Sequence, residues 1–252
     1  SYSALHASGE LAGRVKTLSE LCRPCRLCPH ACKSGRSGKD LGICRSELEV
    51  RVSGAFAHFG EEPPLVGRMG SGTIFFCGCN LRCSFCQNWE TSQGADPGHP
   101  LSEEELARLM LELQLAGCHN LNLVTPTHVM PQILSALVPA VERGFSLPIV
   151  YNSGGYDPPE ALALLDGVVD LYMPDVKSFA VDFCQAYFQA PDYPAVVRQA
   201  VVEMARQVGE FQTDEQGVAR RGLLVRHLVM PEREEDSRQV LEFLSRELPA
   251  RP

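Results

Sequence analysis

Three cysteines stand within eight residues at positions 79 to 86, which read CNLRCSFC. A structural zinc site takes four ligands and is closed, whereas three thiolates on one loop leave an open corner on whatever they bind. Thiolate is the usual iron–sulfur ligand, so the spacing favours a cube in which Cys79, Cys83 and Cys86 bind three irons. The fourth iron would be free to bind a substrate or a second cofactor. A zinc loop, or three buried thiols, is the plainer alternative.

A second group of five cysteines lies near the amino terminus. Its first four, Cys22, Cys25, Cys28 and Cys32, follow the spacing of the bacterial ferredoxin run, although Lys33 stands where that run has proline. Four thiolates fit structural zinc and an auxiliary iron–sulfur cluster equally well. Such clustering, in a chain whose start does not resemble a signal peptide, indicates metal binding rather than disulfides. Uncoordinated thiols are the remaining option.

The elements that must position these thiols alternate between strands and helices from about residue 71 onward. The apolar runs of strand type are GTIFFCGC (72–79), LNLVTP (121–126), LPIVYN (147–152), VVDLYMP (168–174) and GLLVRHLVMP (222–231). Helical patterns lie between them, and the first begins with a capping box formed by Ser102 and Glu105. The alternation predicts an α/β fold in which helices pack outside a parallel sheet. In such sheets and barrels, ligands bind at the carboxyl ends of the strands.

Polar side chains follow each of these runs. They are Cys79, Cys83, Cys86 and Asn88 after the first, Thr125 and Thr127 after the second, Asn152 at the end of the third, Asp175 and Lys177 after the fourth, and Arg226 within the fifth. We expect them to converge on one rim of the sheet. A solvated ion pair is the alternative for Asp175 and Lys177. Before the first of these runs, residues 58–64 are expected to form a plain turn, with an overhang of the site as the alternative.

The cysteine loop, its place after a strand and the order of the later pieces resemble the radical S-adenosylmethionine (SAM) superfamily. The matching pieces are FFCGCNLRCSFCQNWE, NLVTPTHVMPQIL, IVYNSGGYD, YMPDVK and GLLVRHLVMP, and they cover residues 54 to about 245. Within the superfamily the chain most resembles the glycyl-radical-enzyme activases, specifically pyruvate formate-lyase activating enzyme-like proteins of uncharacterised substrate. The resemblance implies a partial parallel (β/α) barrel. The cysteine motif is highly specific for the superfamily and much less so for a substrate.

The resemblance also implies the cofactors, which are a [4Fe-4S] cluster and SAM. The free iron would bind the amino and carboxylate groups of SAM. One electron would then break the C5′–S bond, and the resulting 5′-deoxyadenosyl radical would take a hydrogen atom from a substrate. The implied electron donor is a reduced flavodoxin or a ferredoxin-like protein. No catalytic residue beyond the cofactor ligands is implied, because the hard chemistry belongs to the cofactors.

By position, the resemblance places several residues against the cofactors. The implied cofactor-binding residues are Phe85, Asn88, Thr125, Thr127, Asn152, Asp175, Lys177 and Arg226. Phe85 stands at the aromatic position near adenine, and Asp175 with Lys177 matches the Asp-x-Lys signature of activases. The superfamily has a Gly-Gly-Glu stretch where this chain has residues 125–128, so Thr125 and Thr127 substitute by position alone. SAM carries an ammonium, a carboxylate and a sulfonium, which suit a carboxylate beside two cations.

The resemblance further divides the chain in two. The ligands that it selects for a second metal site, zinc or iron–sulfur, are Cys25, Cys28, Cys32 and Cys44. Residues 1–50 are therefore expected to form a Cys-rich metal-binding segment, and residues 51–252 a radical SAM barrel. Activase-like barrels have a sixth strand. The sequence ends at Pro252 before that strand, so the barrel is expected to lack it.

Composition limits the partners that we expect. The net charge of −8 argues against a general affinity for nucleic acid or for an anionic membrane. No apolar run approaches the ~20 residues that cross a bilayer, and the first twenty residues lack the apolar region of a signal peptide. A cytoplasmic protein is the resulting expectation.

Three functions remain open. The first is an activase that places a glycyl radical on a partner protein. The second is a radical SAM enzyme that modifies another peptide or a small molecule. The third is a non-enzymatic metal-binding protein that only keeps the fold.

Overall fold

Eight strands form one sheet in the computed structural model, which describes residues 1–94 and 97–248. The strands are β1 (Val50–His58), β2 (Ser71–Phe76), β3 (His99–Leu101), β4 (Leu121–Val124), β5 (Ile149–Ser153), β6 (Leu171–Pro174), β7 (Gln212–Thr213) and β8 (Ala219–Leu223). Their order in the sheet is β3-β1-β2-β4-β5-β6-β8-β7. β2, β4, β5, β6 and β8 run parallel, and β1, β3 and β7 are antiparallel additions at the edges. The predicted α/β fold with a mostly parallel sheet is confirmed.

Helices precede, connect and follow the strands, and most of them cover the outer face of the sheet. They are α1 (Tyr2–Ala7), α2 (Glu10–Glu20), α3 (Pro63–Val66), α4 (Trp89–Ser92), α5 (Glu103–Leu115), α6 (Met130–Glu142), α7 (Pro159–Leu162), α8 (Val181–Phe188), α9 (Tyr193–Val208) and α10 (Glu234–Glu247), with 3-10 turns at Thr127–Val129 and Ala163–Leu165. The predicted capping box opens α5, where Glu105 N donates to Ser102 Oγ at 3.2 Å and Ser102 N donates to Glu105 Oε2 at 2.8 Å.

The two faces of the parallel strands pack differently. Leu121, Leu123 and Tyr151 join the main core with the apolar faces of α5 and α6. The alternate residues face the concave side of the sheet, as the two-residue period of a strand requires. On that side, Leu65 of α3 packs in a separate cluster with the inward-facing Val150, Leu171, Met173 and Ala219. The lower end of the partial barrel, where the parallel strands begin, is thus filled by α3.

Two helices that were not predicted lie within the first twenty residues. Leu11 and Leu18 of α2 are fully buried in the main core, and Val15 packs against that core. These residues stand four and three positions apart, which is helical spacing. The division of the chain at residue 50 stays a prediction, although residues 10–20 share the core of the barrel.

The fifth parallel strand begins and ends earlier than predicted. The run 222–231 was expected as a strand, whereas β8 is Ala219–Leu223 and Arg226 lies three residues beyond its end. The backbone of Arg226 still pairs with the segment after β6. Its N–H donates to Pro174 O at 3.0 Å, and its carbonyl accepts from Val176 N at 2.8 Å. Leu228 and Val229 are exposed. The prediction from apolar content alone therefore placed the end of this strand too far along the chain.

The predicted barrel range of 51–252 includes residues 95–96 and 249–252, which lie outside the described residues. In the described ranges, no helix has both the length and the apolar character that crossing a bilayer requires.

Candidate cofactor-binding site

A cavity of about 500 Å³ opens at the carboxyl ends of the parallel strands. The predicted site residues that line it are Cys79, Cys83, Cys86, Phe85, Asn88, Thr125, Asn152, Asp175, Lys177 and Arg226. These residues come from the carboxyl ends of five different strands and from the segments that follow them, as the rule for parallel sheets predicts. Of the expected cofactor contacts, only Thr127 is not brought to this cavity.

The cysteine loop is fixed by hydrogen bonds from its own backbone and from its neighbours. Leu81 N and Arg82 N donate to Cys79 Sγ at 3.3 and 3.5 Å. The buried Asn80 side chain donates through Nδ2 to Tyr156 O at 2.8 Å, and its backbone carbonyl lies 2.8 Å from His30 Nε2. The loop is thereby tied both to the loop after β5 and to the amino-terminal segment.

The loop thiols are placed where a metal cluster can bind them. Burial raises the pKa of the Cys79 thiol and raises the pKa of the Cys83 thiol to about 12. Without metal, both groups are therefore protonated at neutral pH, and ligation would release their protons. The two backbone N–H groups directed at Cys79 Sγ favour an anionic sulfur. Three thiols on one wall of a cavity, with space beside them, fit a [4Fe-4S] cluster that keeps one iron open.

The choice between a cube and a zinc ion at this loop depends on the number of thiols. Three thiolates leave a cube with one open iron, whereas they leave a structural zinc ion one ligand short. Within the described residues, no three His, Cys, Asp or Glu side chains stand close enough together to hold one metal ion.

A charged group faces the cysteines. Asp175 accepts from Lys177 Nζ at 2.7 Å and from Arg226 Nε at 2.8 Å, and Arg226 Nη2 donates to Asn152 Oδ1 at 2.7 Å. Burial alone would raise the pKa of Asp175, but Lys177 and Arg226 outweigh it and hold that pKa below its usual value. Burial would lower the pKa of Lys177, but Asp175 raises it. All three groups are therefore ionised at neutral pH, and their side chains are partly buried in the cavity wall.

Phe85 stands in an aromatic cluster at the edge of the cavity. Its ring centroid lies 6.0 Å from that of Phe183, 6.2 Å from Tyr187 and 6.4 Å from Phe188. These rings hold Phe85 in place, and Phe85 itself lines the cavity. Such a ring offers a flat apolar surface to a planar ligand group.

The two threonines after β4 have different places. Thr125 lines the cavity and has a positive φ of 58°, with its N–H donating to Asn152 O at 2.8 Å. Thr127 is only 1% exposed, and its hydroxyl donates to Asp157 Oδ1 at 2.7 Å. The structure therefore does not bring Thr127 to the cavity where its cofactor contact was expected. The 3-10 turn that begins at Thr127 directs this side chain back toward the buried Asp157, which Tyr151 and Ser153 also bond.

The amino-terminal cysteines lie near one another and near the cysteine loop. Burial raises the pKa of Cys28 to about 12, and Cys44, Cys25 and Cys32 add to the rise through their charges. The unused Cys22 is contacted instead by the fully buried Arg36, whose Nη1 lies 3.6 Å from its sulfur. No closed metal site is formed by these thiols among the described residues, so the second metal site stays a prediction.

The amino-terminal segment also packs directly against the start of the cysteine loop. Gly78, with φ of 85°, approaches Cys44 so closely that a Cβ would stand 2.6 Å from its carbonyl oxygen. The buried His128 joins the same region, with Nε2 2.8 Å from Cys77 O. This region supports the cluster loop from the side away from the cavity.

The end of β1 and the segment after it line the cavity, where a plain turn was expected. His58, Gly60, Glu61 and Glu62 line the cavity together with Phe75. Burial raises the pKa of Glu61, Arg226 opposes the rise, and Glu62 adds to it. The sequence signal was two acidic residues followed by two prolines, which is typical of a surface turn because nothing local shows that the turn enters the barrel.

Comparison with known proteins gives two matches. The family model described as the Radical SAM superfamily matches residues 73–244. The chain is also 31% identical over 244 residues to an uncharacterised protein, MJ0674, of Methanocaldococcus jannaschii. That alignment covers 93% of this chain and 65% of the relative, so the chain spans about two thirds of the length of the curated protein that it matches. Neither match specifies a glycyl-radical activase or a substrate.

Proposed function

The chain belongs to the radical SAM superfamily, and on that premise we propose that it is an enzyme that takes a hydrogen atom from a substrate. Cys79, Cys83 and Cys86 would hold the [4Fe-4S] cluster. The observation that carries the proposal is the cavity in which these thiols face the ionised group of Asp175, Lys177 and Arg226. When bound, the reduced cluster and SAM supply one-electron cleavage of the C5′–S bond and hydrogen-atom abstraction.

The protein's own groups bind and orient the cofactor. Asp175 offers a carboxylate to the ammonium or sulfonium of SAM, and Lys177 and Arg226 offer cations to its carboxylate, since charge-assisted hydrogen bonds are strong. Phe85 offers an apolar face to the adenine. These are roles by position and chemistry.

The finer proposal is an activase that installs a glycyl radical on a partner protein. It is supported by the Asp175-x-Lys177 pair, which matches the activase signature and lines the cavity. Its electron donor would be a reduced flavodoxin or ferredoxin-like protein of the cytoplasm. Paramagnetic resonance of a candidate partner, incubated anaerobically with the enzyme, SAM and a reductant, would show a glycyl radical. The alternative, modification of another peptide or a small molecule, predicts no radical stored on a partner.

The test of the general proposal is product formation from SAM. Anaerobically prepared protein, loaded with iron and sulfide and then reduced, is expected to convert SAM to 5′-deoxyadenosine. The triple variant Cys79→Ser, Cys83→Ser, Cys86→Ser should form none. Cys118→Ala serves as the control, because Cys118 is buried in the main core away from the cavity. Wild-type protein that yields no 5′-deoxyadenosine would favour a non-enzymatic metal-binding protein.

We also propose that Cys25, Cys28, Cys32 and Cys44 bind a second metal group. The proposal is supported by the packing of the segments that carry these thiols. Lys33 N, next to Cys32, donates to Cys25 O at 2.9 Å, and a Cβ at Gly42, two residues before Cys44, would stand 2.7 Å from Cys32 Sγ. The triple loop variant is expected to keep about one zinc or about four irons per chain, as a closed site would hold. Replacement of all four amino-terminal cysteines by serine should remove that metal. Loop-variant protein that binds no metal would contradict the second site.

A further inference from the structure

The buried hydroxyl of Tyr193 meets two loops of the cavity wall at one point. Tyr193 is the first residue of α9 and has no exposed surface. Its oxygen lies 2.9 Å from Gly154 O and 2.8 Å from Asp175 O, and it accepts the backbone N–H of Lys177 at 3.0 Å. Gly154 follows β5, whereas Asp175 and Lys177 follow β6. These three residues line the cavity, and Tyr193 stands behind them.

The contacts of this hydroxyl use its full hydrogen-bonding capacity. A phenol has one hydrogen to donate and an oxygen that can accept. Burial raises the pKa of Tyr193 well above its usual value, so the hydrogen is present at neutral pH. The oxygen accepts from Lys177 N, and the single hydrogen serves the carbonyls of Gly154 and Asp175 in turn. The two loops are therefore joined by the hydroxyl and not by the ring alone.

The ring of Tyr193 is fixed by its own neighbours. Its centroid lies 5.0 Å from that of Phe188 and 6.0 Å from that of Tyr156. Tyr156 is bonded in turn to the start of α9, through Asp192 Oδ1 at 2.7 Å, and to the cysteine loop, because its carbonyl accepts from Asn80 Nδ2 at 2.8 Å. The hydroxyl is thus held at a fixed place relative to the cysteine loop, and it can impose that place on the two other loops.

Gly154 is the point where these loops come closest together. A Cβ at this position would stand 2.6 Å from Leu81 Cδ1 and 3.6 Å from Lys177 Cε. Leu81 belongs to the cysteine loop, between Cys79 and Cys83. Because the interior is closely packed, a shift of the Gly154 carbonyl would move both the cation of Lys177 and the cysteine loop.

We propose that Tyr193 is a positioning residue of the cofactor site, and that its hydroxyl sets where Asp175 and Lys177 stand relative to the cysteine loop. The inference rests on the proposed function, since Asp175 and Lys177 are assigned there to SAM. Tyr193 acts only through the two loops that it joins. Binding groups that are already fixed need not be ordered when the ligand arrives, so the hydroxyl contributes to SAM affinity.

The test compares two substitutions that each remove one buried phenol hydroxyl. Tyr193→Phe keeps the ring and removes the bonds to both loops. Tyr172→Phe is the matched control, because Tyr172 is fully buried on β6 and its hydroxyl donates to Gln207 Oε1 at 2.6 Å, near the other end of α9. In anaerobic equilibrium dialysis of the cluster-loaded full chain, Tyr193→Phe is expected to weaken SAM binding about five- to tenfold. Tyr172→Phe should stay within twofold of the wild type.

Two further measurements separate positioning from stability. Urea unfolding should show similar decreases in the midpoint for both variants, since each leaves a buried polar group without its partner. Amide hydrogen exchange of the wild type, resolved to single residues, needs no variant. The Lys177 N–H is expected to exchange at least about 100-fold more slowly than in an unfolded chain before SAM is added. If Tyr193→Phe does not fold or does not hold its iron, the exchange measurement decides the question alone.

Three results would overturn the inference. They are a folded, iron-loaded Tyr193→Phe variant with SAM affinity within twofold of the wild type, an equal loss of SAM affinity in both variants, and rapid exchange of the Lys177 amide in the wild type. Failure of the proposed function is seen separately. Wild-type protein that binds SAM but forms no 5′-deoxyadenosine would lose the radical activity, and the two phenylalanine variants would still decide the role of Tyr193.

Discussion

Asp175 is the residue on which the charged group of the site depends. It accepts hydrogen bonds from both Lys177 and Arg226, and it stays ionised because of them. We expect Asp175→Asn to weaken SAM binding by roughly 10- to 100-fold, since bonds to a charged group contribute about 1.5–3 kcal/mol. Equilibrium dialysis of the cluster-loaded protein measures this.

Asp214→Asn is the control for that change, because Asp214 pairs with Arg220 near the surface, in the turn before β8. Iron content must be equal in the two variants for the comparison to hold. A SAM dissociation constant for Asp175→Asn within threefold of the wild type would remove Asp175 from the cofactor site.

His128 is expected to make the stability of the protein depend on pH. Burial, with a smaller contribution from Arg36, lowers the pKa of His128 to about 4, whereas in the unfolded chain the pKa is about 6.5. Between these values the unfolded state binds more protons, so the free energy of unfolding falls as the pH falls. From pH 7 to pH 5, this residue should account for a loss of about 2 kcal/mol.

His128→Gln removes this titration and leaves an N–H group that can donate to Cys77 O. The wild type should lose more stability than His128→Gln as the pH is lowered from 7 to 5, so the melting temperatures of these two proteins should converge. Parallel losses of stability over that range would show that His128 is not the group responsible.

At the scale of elements, Gly155 joins the end of β5 to the wall of the site. It has φ of 74°, and a Cβ there would stand 2.7 Å from Val197 Cγ2 and 2.8 Å from Asp175 O. We expect Gly155→Ala to destabilise the fold by about 1–3 kcal/mol through backbone strain. The displaced Asp175 carbonyl should also lower SAM affinity.

Gly13→Ala is the matched change with the opposite sign. Gly13 lies inside α2, and no atom stands within 4 Å of the position that an alanine methyl group would take. Alanine should therefore stabilise the helix by about 0.5–1 kcal/mol. Urea unfolding of both variants tests the pair. Equal effects of the two substitutions would mean that the crowding at Gly155 is relieved by a small shift of its neighbours.

Much of the fold was predictable because local signals and tertiary structure agree. The capping box of Ser102 and Glu105 correctly predicted the start of α5, and the apolar runs that precede the polar residues correctly predicted four parallel strands. The runs ended close to the rim, so Asn152, Asp175 and the loop cysteines were brought together as expected.

The failures have a common physical cause, which is that long-range contacts decide the outcome. Thr127 stands two residues from Thr125 in a polar stretch, but its buried hydrogen bond with Asp157, 30 residues later, turns it away. Glu61 and Glu62 look like turn residues until α3 is seen to enter the barrel. The last parallel strand was predicted too far along the chain, because exposed apolar residues such as Val229 follow β8 and extend the apolar run.

For the whole molecule, metal binding should contribute to stability. A site that exists in the folded chain and not in the unfolded chain adds its binding energy to folding. Removal of iron from reduced protein by a chelator is expected to lower the melting temperature by at least about 4 °C. The triple loop variant should show a smaller decrease, because only the amino-terminal thiols remain to lose metal. A decrease as large as that of the wild type would place the stabilising metal outside the loop.

The helix that closes one end of the chamber has a consequence for access. With Leu65 packed among Val150, Leu171 and Met173, molecules are expected to enter and leave through the opposite end, where the thiols stand. Substrate and SAM would then share one entrance, and a bulky substrate analogue should slow the escape of SAM from the loaded protein.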